Sequence, residues 1–238
     1  MKLSYLSTIL LAIFLFVTFF STNHNSESHT FQNDLIQEKE IRFSNLRQLT
    51  FSGENAEAYF SSDGKKLTFQ SHDGDSLCDQ IYIMNIETGS TNMVSTGDGV
   101  TTCSYFVYPD CQKAIYASTH MGNKKCPEKP DYSMGYVWKL YPDYDIFLTD
   151  LQTNSLEQLT SSPGYDAEAT VAFNGSKVVY TSMVSGDLDI WTMNSDGTNK
   201  KQITNNGAAN FGPYFFPSGN KIVFSSNLHD PKWRDFDL

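Results

Sequence analysis

Two glutamates occupy matching places in this chain. Glu57 lies in the segment NAEAYF and Glu168 in DAEATV, and two residues before each stands a short polar side chain, Asn55 or Asp166. Asn210, opening NFGPYF, holds the same place in a third segment. Oxygen-bearing side chains converging on one point can hold a hard cation such as calcium or grip a polar ligand. The same residue types also cap strand ends by bonding nearby backbone N–H groups. Both readings stand on sequence alone. No motif calls for a cofactor, and calcium is the one metal these oxygen donors suggest.

Other reactive side chains are less concentrated. His72, His120 and His229 follow similar apolar segments, and imidazole is a common metal ligand. One histidine per segment gives wide spacing, however, which suits solvated loop residues better. Aspartates recur in pairs as Asp143/Asp145, Asp187/Asp189 and Asp235/Asp237. Recurrence points to scaffold, and side-chain-to-backbone bonding at a turn is the expected role. The chain contains no G-x-S-x-G, H-E-x-x-H, P-loop or C-x-x-C pattern.

These residues recur because the chain repeats. KLTFQS, KAIYAS, KVVYTS and KIVFSS begin at Lys66, Lys113, Lys177 and Lys221, each with an aromatic three residues on. A period mostly in the mid-forties, built of short alternating strands, is the signature of a β-propeller. The expected fold is all-β, a propeller of four-stranded antiparallel blades. About four repeats are present over residues 45–238, the last truncated. Within each blade an innermost strand (58–61, 105–108, 169–172, 213–216) leads through a two-residue hairpin turn to the lysine-led strand. A third strand carries Ile81, Ile146 or Ile190, and a fourth carries the QLT element. Asp110-Cys111 lacks the usual glycine, so that turn should be looser or strained. Residues 45–50 read as an orphan outer strand. The fourth repeat stops at DFDL, inside its third strand, which implies a longer propeller of which these residues are a part.

The strand order sorts the loops onto two rims. Cys78, Cys103 and Cys126 fall on the loop-rich rim and Cys111 in a hairpin on the other. One disulfide among the first three is therefore expected, with Cys111 left free. The second repeat carries an insertion, residues 119–145, rich in aromatics that include Trp138 and Tyr141. A long loop of this kind either binds something or packs over the rim. Glu57 and Glu168 are expected where the central channel meets this same rim.

Of the 238 residues, 39% are hydrophobic, 14% aromatic and 18% charged, which suits a packed β-domain. A net charge of −10 without a basic run disfavours nucleic acid as a partner. Lys2 precedes the apolar run LSYLSTILLAIFLFVTFF, so residues 1–21 read as a signal peptide, with an uncleaved membrane anchor as the alternative. Residues 22–44 read as a polar linker. A periplasmic or secreted location follows, with membrane contact only through the N-terminal segment if it is retained.

The segments SSDGKKLTFQS, IYIMN, LDIWTMNSDGTNKKQIT and FFPSGNKIVFSSN resemble the repeats of TolB-type propellers, a WD-repeat-like family common in exported bacterial proteins. The resemblance implies the fold, and it implies that the family's N-terminal α/β domain is missing here. Similar propellers also precede the catalytic domains of prolyl oligopeptidase-type peptidases and gate access to them. The expected function is an exported, non-catalytic propeller that binds a protein, peptide or envelope glycan at its loop-rich rim. The alternative is a propeller belonging to an enzyme, either such a gating domain or a channel-centred hydrolase or lyase.

Overall fold

The computed structural model describes residues 36, 39–74, 78–128, 130–133, 135, 139–232 and 235–238. The proposed signal segment, most of the proposed linker and Trp138 lie outside these residues. The chain divides into two compact units, Met1–Gln48 and Leu49–Leu238, and the strands of the described residues lie in the second. Among the described residues there is no helix.

Among the described residues, fourteen strands form four antiparallel sheets, the blades of a propeller. Blade one comprises β1 (Glu54–Phe60), β2 (Lys66–His72), β3 (Gln80–Asn85) and β4 (Thr91–Met93), paired in chain order. Blade two repeats this with β5 (Thr101–Phe106), β6 (Lys113–Ser118), β7 (Asp145–Asp150) and β8 (Leu156–Gln158). Blade three has β9 (Asp166–Val171), β10 (Lys177–Ser182), β11 (Asp189–Asn194) and β12 (Lys201–Gln202). Blade four pairs β13 (Asn210–Phe215) with β14 (Ile222–Ser226), and an isolated bridge joins Ser226 to Asp237. That bridge repeats the Ser182–Asp189 pairing of blade three and confirms the repeat alignment. No strand forms at residues 45–50, where an outer strand is expected from the sequence.

The lysine-led strands of blades two and three are buried beyond their first residue, because each sheet packs against a neighbour on both faces. Ile115, Ile146, Val178, Tyr180 and Met193 fill one core cluster. Ile81, Tyr116 and Phe147 fill another, and Val179, Ile190 and Phe215 a third.

The hairpins after the innermost strands contain one left-handed residue, where a two-residue turn of the expected type needs two. Gly64, Gly175 and Gly219 have φ of 68°, 72° and 70°, each donating back to the carbonyl three residues earlier. Cys111 takes the same conformation with φ 52°, in a turn one residue longer that is closed by Cys111 N–H to Val107 O.

Of the recurring aspartates, Asp145 and Asp189 bond to side chains rather than to the turn backbone that the sequence suggests. Asp189 accepts from Gln202 Nε2 at 2.9 Å and Thr204 Oγ1 at 2.7 Å, and Asp145 accepts from Gln158 and Thr160 in the same way. The QLT element is thus the donor half of a clasp between the third and fourth strands. In blade one Gln80 takes the aspartate's place, accepting from Ser95 Oγ at 2.7 Å.

Candidate functional site

The innermost strands start three or four residues earlier than their alternation suggests, because each contains a β-bulge that breaks the period. The register shifts in all four blades, between Ala56 and Tyr59, Thr102 and Tyr105, Ala167 and Thr170, and Phe211 and Tyr214. At each bulge one residue is left-handed: Glu57 (φ 53°), Cys103 (51°), Glu168 (57°) and Gly212 (61°). Only the last is a glycine, so three side chains are held in a conformation L-residues disfavour. The glutamates singled out in the sequence therefore sit inside the strands, at these bulges.

A bulge turns one N–H out of its ladder, and that donor needs a partner. The preceding blade supplies it. Gln70 Oε1 accepts from the Cys103 N–H at 3.2 Å. Glu168 Oε2 accepts from the Gly212 N–H at 2.7 Å, and from Thr181 Oγ1 at 2.6 Å. Burial raises the Glu168 carboxyl above its ordinary range, while these donors hold it down. Burial, with Glu168 and Glu57 nearby, likewise raises the Cys103 thiol. Glu168 and Cys103 are thus stitches between blades.

The four bulges surround a cavity of about 110 Å³, lined also by Tyr59, Thr170 and Tyr214. Glu57 is exposed on its wall, accepting a bond from the Tyr59 hydroxyl at 2.8 Å. Glu57 and Cys103 also line a second, larger cleft of about 680 Å³ on the loop-rich rim. Its walls are acidic and aromatic, with Glu54 and Asp79 on one side and Tyr132, Tyr141, Tyr144 and Tyr165 on the other. Tyr144 meets Tyr165 edge to face at 5.6 Å, Tyr141 lies 6.0 Å from Tyr144, and the Lys139 ammonium sits 5.1 Å over the Tyr141 ring. The Tyr141 hydroxyl donates to the Glu128 carbonyl at 3.2 Å.

Of the disulfide candidates, Cys78 and Cys126 are joined, with Cα atoms 5.5 Å apart. Cys103 and Cys111 are free. The bond ties the β2–β3 loop of blade one to the insertion of blade two, and both cysteines line the rim cleft. Cys111 sits in the opposite hairpin, accepting from the Ser62 N–H at 3.3 Å.

The other sequence candidates do not join this site. Asn55 is exposed and bonds Ser52 and Gly53 carbonyls. Asn210 is buried at the junction of blades three and four, donating to Ala208 O and Asn206 Oδ1. Asp166 is buried at the junction before it. Among the described residues, no group of three or more His, Cys, Asp or Glu is placed to hold a metal ion. His120 is buried against Phe147, and His229 is exposed.

One arrangement in the cleft escapes the sequence reading. His72 Nδ1 and Asp79 Oδ1 are 2.6 Å apart, and Gln70 Nε2 donates to Asp79 Oδ2 at 2.8 Å. The signal lay in the offset of one residue: Gln80 fills the clasp position, so Asp79 is released to face His72.

No family model matches the chain. A curated protein of uncharacterized function from Agrobacterium fabrum is 28% identical over 83 residues, which is 35% of this chain and 28% of that protein. Among solved structures, TolB from Acinetobacter baumannii superposes with a TM-score of 0.59 at 20% identity, covering 77% of this chain and 40% of that one. Oligogalacturonate lyase from Vibrio parahaemolyticus superposes with a TM-score of 0.55 at 16% identity, covering 77% and 50%. The chain thus spans half or less of each of these proteins. At such identities the likeness shows the fold, a TolB-like β-propeller, and a fold shared by TolB and a lyase does not fix a function.

Proposed function

We propose that this chain is an exported β-propeller that binds a protein, peptide or envelope glycan in its rim cleft and catalyses no reaction of its own. One observation carries the reading. The 680 Å³ cleft is walled by residues that break the repeat: the insertion's tyrosines, the Cys78–Cys126 tether, and Glu57 freed from the role its counterpart Glu168 performs. An aromatic wall facing carboxylates offers stacking surface and acceptors for amines or hydroxyls. Export is supported by the charged-then-apolar start of the chain and by the disulfide.

A second reading, a channel-centred hydrolase or lyase, is favoured by the His72–Asp79 pair. A carboxylate that fixes an imidazole's Nδ1 leaves Nε2 available for proton transfer. The cleft is less suited to it, because Nε2 points toward the Glu54 carboxylate at 3.9 Å.

One experiment separates the two. Arrays of peptides and of cell-envelope glycans are probed with the purified chain, and bound features are checked by mass spectrometry for turnover. Binding without turnover is expected, weakened about tenfold by Tyr141→Ala, about 1.4 kcal/mol, and by Glu57→Gln. Binding that survives both substitutions would remove the cleft from the account. Turnover that His72→Gln abolishes would establish the enzyme reading.

A further inference from the structure

The junction between blades two and three holds a buried carboxyl that lacks the partner its counterpart has. At the next junction, Asn210 Nδ2 lies 3.4 Å from Asp189 Oδ1, so an amide donor faces the clasp aspartate. At this junction the equivalent strand positions are held by Asp166 and Asp145, so the repeat sets two carboxyls where the next junction has an amide and a carboxylate. Asp166 is 1% exposed, and neither of its oxygens meets a donor in hydrogen-bonding geometry. A buried polar group left so is uncommon and calls for a physical reason.

We propose that Asp145 and Asp166 form a proton-operated latch between blades two and three: sharing a proton they hold the junction closed, and losing it to solvent they push it apart. A carboxylic acid placed between them supplies the O–H that the Asn210 amide supplies as N–H. Burial raises the Asp166 carboxyl to about 6, with Asp145 on β7 adding to the rise. Ser182 on β10, Thr160 after β8 and Lys200 before β12 oppose it without prevailing. Asp145 is itself raised, by burial first and then by Asp143. On β10, Tyr180 stays protonated, its hydroxyl raised by burial and by Asp166.

The latch lies directly beneath the cleft. The Asp166 N–H donates to the Tyr144 carbonyl at 2.9 Å, and Tyr144 and Tyr165 pack together with Ala167. Loosening this junction at neutral pH therefore loosens the tyrosine wall. That link to binding rests on the cleft reading above, whereas the latch does not.

The sign follows from the raised carboxyl. The folded chain holds more protons than the unfolded one between about pH 4 and 6, so this pair's contribution falls as pH rises through that window and is lost above it. Asp166→Asn, which copies the blade-four residue, should match the parent chain near pH 4 and melt about 6 °C higher at pH 7.5. A carbon-13 titration of the Asp166 carboxyl should give a midpoint near 6, lowered in Asp145→Asn. A midpoint near 4, or an Asp166→Asn chain that melts below the parent at pH 7.5, would overturn the latch. If Asp166→Asn does not fold, the titration of the parent chain decides. Ligand binding enters neither measurement, so failure here and failure of the cleft reading are separable.

Discussion

Replacing Cys78 and Cys126 together by serine is expected to lower the stability of the oxidised chain by about 4 kcal/mol, the loop-closure value for their spacing. The bond closes a sequence separation of 48 residues, and its loss frees the unfolded chain more than it alters the native one. For a domain of this size the midpoint of thermal unfolding should fall by about 10 °C. Reducing the parent chain with dithiothreitol should reproduce the shift, whereas Cys111→Ser should leave the response to reductant intact. A parent chain whose melting ignores reductant would show that the tether does not form. The consequence reaches past stability, because the bond holds the aromatic insertion over the rim. Without it the tyrosine wall loses its attachment to blade one.

The second large effect is a contrast between two glutamates that the sequence aligns. Glu168→Ala is expected to destabilise the chain by about 3 kcal/mol, since it strands the buried Thr181 hydroxyl and breaks the tie to the Gly212 N–H of the next blade. Glu57→Ala should change stability by no more than about 0.5 kcal/mol, because its side chain is exposed. Urea unfolding of both variants gives the comparison directly. Equal effects, or the reverse order, would contradict the assignment of Glu168 to the scaffold and Glu57 to the cleft. Both glutamates occupy left-handed backbone, so the contrast isolates what each side chain bonds.

The repeat was legible because strands buried on both faces impose a fixed apolar run after each lysine, from KLTFQS to KIVFSS. The third-strand isoleucines and the short fourth strands could be placed the same way. The bulges were not legible. A left-handed Glu57, Cys103 or Glu168 leaves no trace in composition, and only Gly212 hints at the backbone all four share. The innermost strands therefore read as too short, and the glutamates as strand starts. The disulfide was narrowed to three cysteines by rim geometry alone. Cys103 drops out because Cys78 pairs with Cys126 while Cys103 sits at the bulge of its strand, a placement that no local pattern announces. Asp166 and Asn210 look interchangeable in sequence, yet one is a buried acid without a donor and the other donates to a carboxylate. That distinction depends on the facing blade, which single-strand alignment does not see.

The central claim is that binding occurs on the loop-rich rim, in the cleft between blade one and the insertion. Hydrogen–deuterium exchange, with and without the strongest binder from the peptide and glycan arrays, tests it most directly. The expected result is slowed exchange at residues 54–57, 100–103 and 139–145, with the opposite hairpins at 61–66, 107–113, 172–177 and 216–221 unchanged. Protection confined to those hairpins would contradict the account.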